Sequence, residues 1–312
     1  MKFAKTLAFF YLSIFAATAF PMNHFAGKVN PSKEDKDLKW TTAKWYDNGD
    51  FETKALPSKP GPNDNTTLRW GSYKLTVDCD VNVASFSIGD DSKLICNKRN
   101  FKTKRNFNLA ISPYGESRAE FTGSNVDIGG SLSYSFYEKH TKASYANFKA
   151  TDSKINIKND LTVIIPFNGR FKNPAKRGGE IELEGKTTMS FGNGTVIDSL
   201  IKDMPTEWMF RFIFREKDGN IPTISFEKEA NLDGCEFEFD IKNAKPGTYT
   251  LIRFDNKKSS IGKPNKVMLN GKDYAFGSEF KIGNKSAKIM LAPSPNSKDT
   301  RTPNDLILQI SK

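Results

Sequence analysis

The residues of this 312-residue chain that could carry chemistry are few: two histidines, three cysteines and a scatter of acids. His24 lies near the N-terminus and His140 in a turn-like stretch with Glu138 and Lys139, which leaves a His-based triad or a multi-His zinc site without its members. No nucleophile elbow, zincin, P-loop or EF-hand pattern occurs. Asp78, Asp80, Asp90 and Asp91 would hold calcium if neighbouring coils brought them together; otherwise they are solvated acids of strand faces and turns. No other cofactor is expected. A polysaccharide lyase would need a base such as Arg118, Lys139 or Arg170 beside such an acidic patch, and nothing in the spacing singles these residues out. A glycosidase needs two carboxylates at a set separation. The alternating Glu180, Glu182 and Glu184 read instead as the wet face of a strand. Trp40, Trp45, Trp70 and Trp208 offer flat apolar faces on which sugar rings stack. Trp40 and Trp45 flank the first coil and suit packing over its open end, while Trp208 shares one face with Phe210, Phe212 and Phe214. Trp70 and Trp208 remain the glycan-stacking candidates.

The elements that must position these residues are strands. Leu75, Val77, Cys79, Val81 and Val83 share one face and Asp78, Asp80 and Asn82 the other, the period of a half-buried strand. The same texture runs from about residue 38 onward, broken by Gly, Asn, Asp and Ser. The one helical period is short, over residues 197–204. A loose repeat of hydroxyl, polar, apolar, any, apolar begins at Ser92, Ser124, Ser153 and Thr187. Repeats of that length, each too small to bury its own face, predict stacked coils. The expected fold is all-β: a right-handed parallel β-helix-like solenoid over 38–228, followed by a C-terminal antiparallel β module over 229–312. A β-sandwich is the alternative. The antiparallel module would cover an exposed solenoid end. All three cysteines fall on apolar strand faces, and either a Cys79–Cys96 disulfide or stacked buried thiols fits.

The N-terminus bears on location. Lys2 and Lys5 precede an apolar run and the small residues Ala17 and Ala19, which predicts a signal peptide over 1–19 cleaved between Ala19 and Phe20. Residues 20–37 read as a flexible lead-in. No later window is apolar enough to span a membrane, so the expected location is secreted, extracellular or cell-surface. The formal net charge is +11, and losing the two leader lysines leaves it near +9. That balance favours anionic partners such as an acidic polysaccharide or cell-envelope polymer. The densest basic cluster, Lys98, Arg99, Lys102, Lys104 and Arg105, reads as a single loop, either polyanion-binding or simply solvated. Nucleic acid is not expected as a partner.

Trp40 and Trp45, the turn at Pro60, Gly61, Pro62, Asn63 and Asp64, and the strand-like 75–78 and 83–89 are similar to the opening of bacterial exported β-helix surface proteins. The stretches 247–254, 267–271 and 306–310 resemble the C-terminal ends of the autotransporter-associated β-strand and PEP-CTERM-like type. The resemblance covers about a third of the chain and implies a secreted or surface bacterial solenoid. With no catalytic constellation, the reading that follows is a non-enzymatic structural, adhesive or matrix/glycan-binding protein. The alternatives are a polysaccharide-degrading enzyme and a self-associating subunit of an extracellular assembly.

Overall fold

The computed structural model describes residues 23–26, 36–47, 55–69, 72–109, 115–135, 145–165, 177–199, 208–293 and 304–311. Among these the chain is all-β, a parallel β-helix-like solenoid of three stacked sheets. Sheet A stacks Asn65–Leu68, Ser85–Ile88, Phe107–Leu109, Leu132–Ser135, Leu161–Ile165 and Thr195–Ser199. Sheet B stacks Lys74–Val77, Lys93–Asn97, Glu116–Thr122, Tyr145–Thr151, Arg177–Glu184 and Trp208–Arg215. Sheet C stacks Val81–Val83, Asn100–Thr103, Asn125–Ile128, Lys154–Ile157, Thr188–Phe191 and Thr223–Phe226. The chain visits A, B and C in turn, so these strands make six successive coils, numbered 1 to 6 from the N-terminus.

Alternation builds each wall: the apolar residue of every pair points into the coil, and like residues stack from coil to coil. Phe191, Phe226 and Phe254 form one column, with ring centroids 4.9 and 5.8 Å apart. Phe212 stacks on Phe237 at 5.7 Å and Phe214 on Phe239 at 5.4 Å. Phe86, Phe101, Phe107, Phe121 and Phe148 fill the earlier coils with mixed edge and stacked contacts. These columns account for much of the phenylalanine content, since each buried ring both removes apolar area from water and gains from its aromatic neighbour.

The corners set the phase of the repeat. At the turn from sheet B to sheet C, Lys98, Gly123, Asp152 and Gly185 all take positive φ in successive coils. Ser124, Ser153 and Thr187 follow this turn and point inward. Each hydroxyl accepts a backbone N–H from the coil before it: Arg99 to Ser124 at 3.4 Å, Ser124 to Ser153 at 3.1 Å, Ser153 to Thr187 at 3.2 Å. The repeat seen in the sequence is therefore a buried hydroxyl ladder, with one copy out of phase. Ser92 sits at the turn from sheet A to sheet B and bonds the Tyr73 N–H at 3.2 Å. The position in coil 2 that matches Ser124 is Arg99.

Several other expectations are corrected. The alternation over residues 74–83 is two strands, Lys74–Val77 in sheet B and Val81–Val83 in sheet C, with the corner at 78–80. Period 2 survives a corner that keeps the inward residues in phase. Part of the 20–37 lead-in is ordered: Asn23–Ala26 joins sheet A, pairing in parallel with Asn65–Leu68. Thr195–Ser199 is a strand paired to Leu161–Ile165, so residues 197–199 of the helix expected over 197–204 are strand, and 200–204 lie outside the described residues; β-branched Thr195, Val196 and Ile197 favour that choice. Residues 98–105 hold a strand of sheet C rather than one loop.

Both ends of the stack are finished by antiparallel strands. Trp45–Asp47 pairs with Asn23–Ala26, and Trp40 and Trp45 lie fully buried with ring centroids 4.9 Å apart, Trp40 reaching Phe86 at 6.0 Å. At the other end, parallel pairing continues past residue 228 through Glu236–Asp240, Gly247–Phe254 and Lys266–Leu269. The antiparallel strands come after that, as Lys272–Asp273, Glu279–Ile282, Lys285–Ala292 and Asp305–Ile310, the last pairing with Gly247–Phe254. The change of texture near 229 marks the loss of sheet A strands, not the start of antiparallel pairing.

Candidate binding groove

The three outer faces differ in chemistry. Sheet B carries charge of alternating sign by strand: Lys149, then Glu180, Glu182 and Glu184, then Arg211 and Arg215, then Glu236, Glu238 and Asp240. Lys149 Nζ reaches Glu182 Oε1 at 2.9 Å and Arg215 Nε reaches the same oxygen at 2.7 Å; Arg211 holds Glu236 at 3.0 Å. Burial acts to raise the Glu182 pKa, but the hydrogen bonds and charges of Lys149 and Arg215 outweigh it and the net shift is downward. Of the wet face expected for Glu180, Glu182 and Glu184, Glu182 is buried and ion-paired to Lys149 and Arg215, while the partly buried Glu180 and Glu184 accept from the Asn147 amide and the Thr151 hydroxyl.

Sheet C is different. Its outward residues form an in-register row, Asn82, Lys102, Asp127, Asn156, Ser190 and Ser225. Asn156 Nδ2 donates to Asp127 Oδ1 at 3.3 Å and Ser190 Oγ to Asn156 Oδ1 at 2.7 Å, so the row is a hydrogen-bonded ladder. Beside it runs the corner from sheet C to sheet A, where Lys104, Gly129, Lys158, Gly192 and Glu227 stack through backbone bonds, Gly129 N–H to Thr103, Lys158 N–H to Ile128, Gly192 N–H to Ile157 and Glu227 N–H to Phe191. Between row and corner lies an open groove of about 630 Å³, spanning coils 2 to 6 and lined by side chains that include Lys102, Asp127, Asn156, Lys158, Asn193 and Lys228.

Two glycines make the groove possible. A Cβ at Gly129 would stand 2.5 Å from the Lys104 carbonyl oxygen, and one at Gly192 would stand 2.4 Å from that of Lys158. Backbone is what they would strike, so coils 3 and 5 take glycine here, and its bare hydrogen leaves the wall recessed between Lys104, Lys158 and Glu227 at the same corner of coils 2, 4 and 6. Among the described residues no aromatic side chain lines the groove.

The sequence-predicted site residues do not converge on it. Asp78 accepts the Thr41 N–H at 3.0 Å, Asp80 the Asn100 N–H at 2.9 Å and Asp91 the Glu116 N–H at 2.6 Å, and Asp90 lies 3.7 Å from Arg69. Each carboxylate ties a corner to a neighbouring segment. Among the described residues no three His, Cys, Asp or Glu side chains gather as a metal site. Cys79, Cys96 and Cys235 are free thiols, so the Cys79–Cys96 pairing is not formed. Cys96 stacks on Val77 and under Phe121, while Cys79 lies on the corner beyond Val77. Burial pushes the Cys96 thiol up to about 11 and the Cys235 thiol up to about 12. Arg118 is paired to Glu116. Trp208 opens its strand in sheet B, opposite Arg177, with its side chain outside the described residues. Ala19, Phe20, Trp70, Lys139, His140 and Arg170 also lie outside them. Among the described residues no helix is long and apolar enough to cross a membrane. No protein-family model, curated protein or solved structure matches the chain.

Only one part of the groove had a sequence signal. Lys102 belongs to the basic cluster, but Asn156, Lys158, Ser190 and Lys228 stand out only once the strands of sheet C are aligned by their corners.

Proposed function

We propose that this chain is an exported surface or matrix protein that binds an extended glycan along the sheet C groove and does no chemistry on it. The observation that carries the reading is the ladder Lys102, Asp127, Asn156, Ser190, one polar side chain per coil through coils 2 to 5 along an open groove that Glu227 and Lys228 continue into coil 6. Coils repeat at the strand spacing of about 4.8 Å. An extended pyranose chain advances by nearly that distance per sugar, so each coil presents an amide, hydroxyl or charge to one sugar. Amides and hydroxyls both donate and accept, which suits sugar hydroxyls. The two carboxylates of the groove, Asp127 and Glu227, belong to coils 3 and 6. Three coils separate them by roughly 14 Å along the stack, wider than the ~6.5–9.5 Å of an inverting glycosidase pair. The export signature at residues 1–19 and the basic net charge support a location and a partner of this kind.

The test is retention of the protein in native gels containing acidic or neutral polysaccharides, with a groove-filling Ser190→Trp variant beside it. Retention by at least one polysaccharide is expected, and its loss in the variant while the strand-rich circular dichroism stays unchanged. Retention that survives Ser190→Trp would place binding elsewhere. Release of new reducing ends by the unaltered protein would overturn the non-catalytic reading.

A further inference from the structure

Measured along the stack, the cations of the groove fall on every second coil, in three adjoining columns: Lys102 in the outward row of sheet C, Lys158 at the corner residue and Lys228 one residue beyond it. Lys102 belongs to coil 2, Lys158 closes coil 4 and Lys228 closes coil 6. Among the described residues the intervening coils present no cation to the groove: coil 3 offers Asp127 and Gly129, and coil 5 offers Ser190, Gly192 and Asn193. Lys104, next to Lys102, is held away by its bond to Asn63 Oδ1 at 2.8 Å. Two coils correspond to roughly 9.6 Å, two sugars of an extended chain.

We infer that the groove selects an acidic polysaccharide bearing one anionic group on every second sugar. The inference rests on the glycan-binding reading of the same groove. Anionic groups at that period meet Lys102, Lys158 and Lys228 in turn, while the neutral sugars between them meet the amides and hydroxyls. Asp127 adds discrimination: it lies in an odd coil, where an acid on every sugar would place a like charge beside it, whereas Glu227, beside Lys228 in coil 6, offsets part of the attraction at that end of the groove. A nucleic acid strand fits less well, because single strands are gripped through stacking on aromatic side chains and none lines the groove among the described residues.

The test uses calorimetric titration of the full chain with three size-matched probes: hyaluronan oligosaccharides, with an acid on alternate sugars; oligomannuronate, with an acid on each; and neutral chito-oligosaccharides. Hyaluronan should bind tightest and lose affinity as salt rises. Lys158→Gln should weaken it by roughly two- to fivefold, the scale of an exposed ion pair, and weaken chito-oligosaccharide binding less. Asp127→Asn should narrow the gap between hyaluronan and oligomannuronate. Equal affinity for all three probes, or no effect of Lys158→Gln on hyaluronan, overturns the charge-spacing inference while leaving the groove reading intact. Competition by single-stranded DNA as effective as by unlabelled hyaluronan also overturns it, by making the groove a general polyanion surface. Failure of every glycan to bind overturns the underlying reading itself.

Discussion

Removing a single hydroxyl from the buried ladder tests how the coils are held in register. Ser153 is almost fully buried. Its Oγ accepts the Ser124 N–H at 3.1 Å and donates to the Thr151 carbonyl at 2.8 Å, with the Phe121 carbonyl at 3.3 Å. Ser153→Ala leaves the Ser124 N–H without that acceptor in a dry corner. A buried orphaned donor costs about 1–3 kcal/mol, and the lost methylene-sized volume is negligible because alanine keeps the Cβ. A loss near 2 kcal/mol is expected. Ser153→Thr should cost far less, since Thr187 already makes the same bonds one coil later. Ser190→Ala, which removes a hydroxyl of the same kind from the solvent side of sheet C, should stay within about 0.5 kcal/mol. Urea unfolding followed by circular dichroism measures all three against the unaltered protein, with the slope checked for constancy because stacked repeats can unfold in parts. Equal midpoints for Ser153→Ala and Ser190→Ala would refute the idea that the inward hydroxyls hold the corners together.

Further outcomes follow from the same geometry. Glu182→Gln should lower stability at pH 7 by about 1–3 kcal/mol, read by urea titration. The folded Glu182 pKa lies below its ordinary 4.5, so its contribution is present above that value and is lost as pH falls through the lower folded value. The variant's deficit should accordingly shrink in that acid window, and a deficit constant down to the lowest pH at which the fold persists would count against the ion ladder. Gly192→Ala drives a Cβ to 2.4 Å from the Lys158 carbonyl oxygen; a cost of about 1–3 kcal/mol is expected, with weakened glycan retention, whereas a fully stable variant would show the corner to be slack. Alkylation at pH 8 should modify half-buried Cys79 and leave Cys96 and Cys235 untouched until the protein is unfolded; labelling of all three at equal rates in the native state would contradict the buried thiols.

How far the fold was legible depended on which signal was local. Alternation at Leu75, Val77, Val81 and Val83 named the inward residues correctly even across a corner, because the corner preserves their phase. It could not show the corner itself, so two strands read as one. The repeat was misphased at Ser92 because a hydroxyl followed by an apolar-alternating strand occurs at both the A-to-B and B-to-C turns. Only the ladder bonds of Ser124, Ser153 and Thr187 separate the two. Residues 197–204 carry a helical spacing at Ile197, Leu200 and Ile201, yet Thr195–Ser199 is held as a strand by its pairing with Leu161–Ile165. The groove was the least legible feature. Its Lys102, Lys158 and Lys228 are far apart in sequence and stand in three adjoining columns, and coils of unequal length hide that they line one groove. Aligning the coils on the residue that follows each sheet C strand, Lys104, Gly129, Lys158, Gly192 and Glu227, is the operation that exposes it.

The most direct measurement is the affinity of the full chain for hyaluronan oligosaccharides of increasing length. Affinity should rise with each added repeat until the oligosaccharide spans coils 2 to 6, roughly 19 Å at the ~4.8 Å strand spacing, and then level off. Binding that is already maximal for a single disaccharide, or absent at every length, would contradict an extended glycan laid along sheet C.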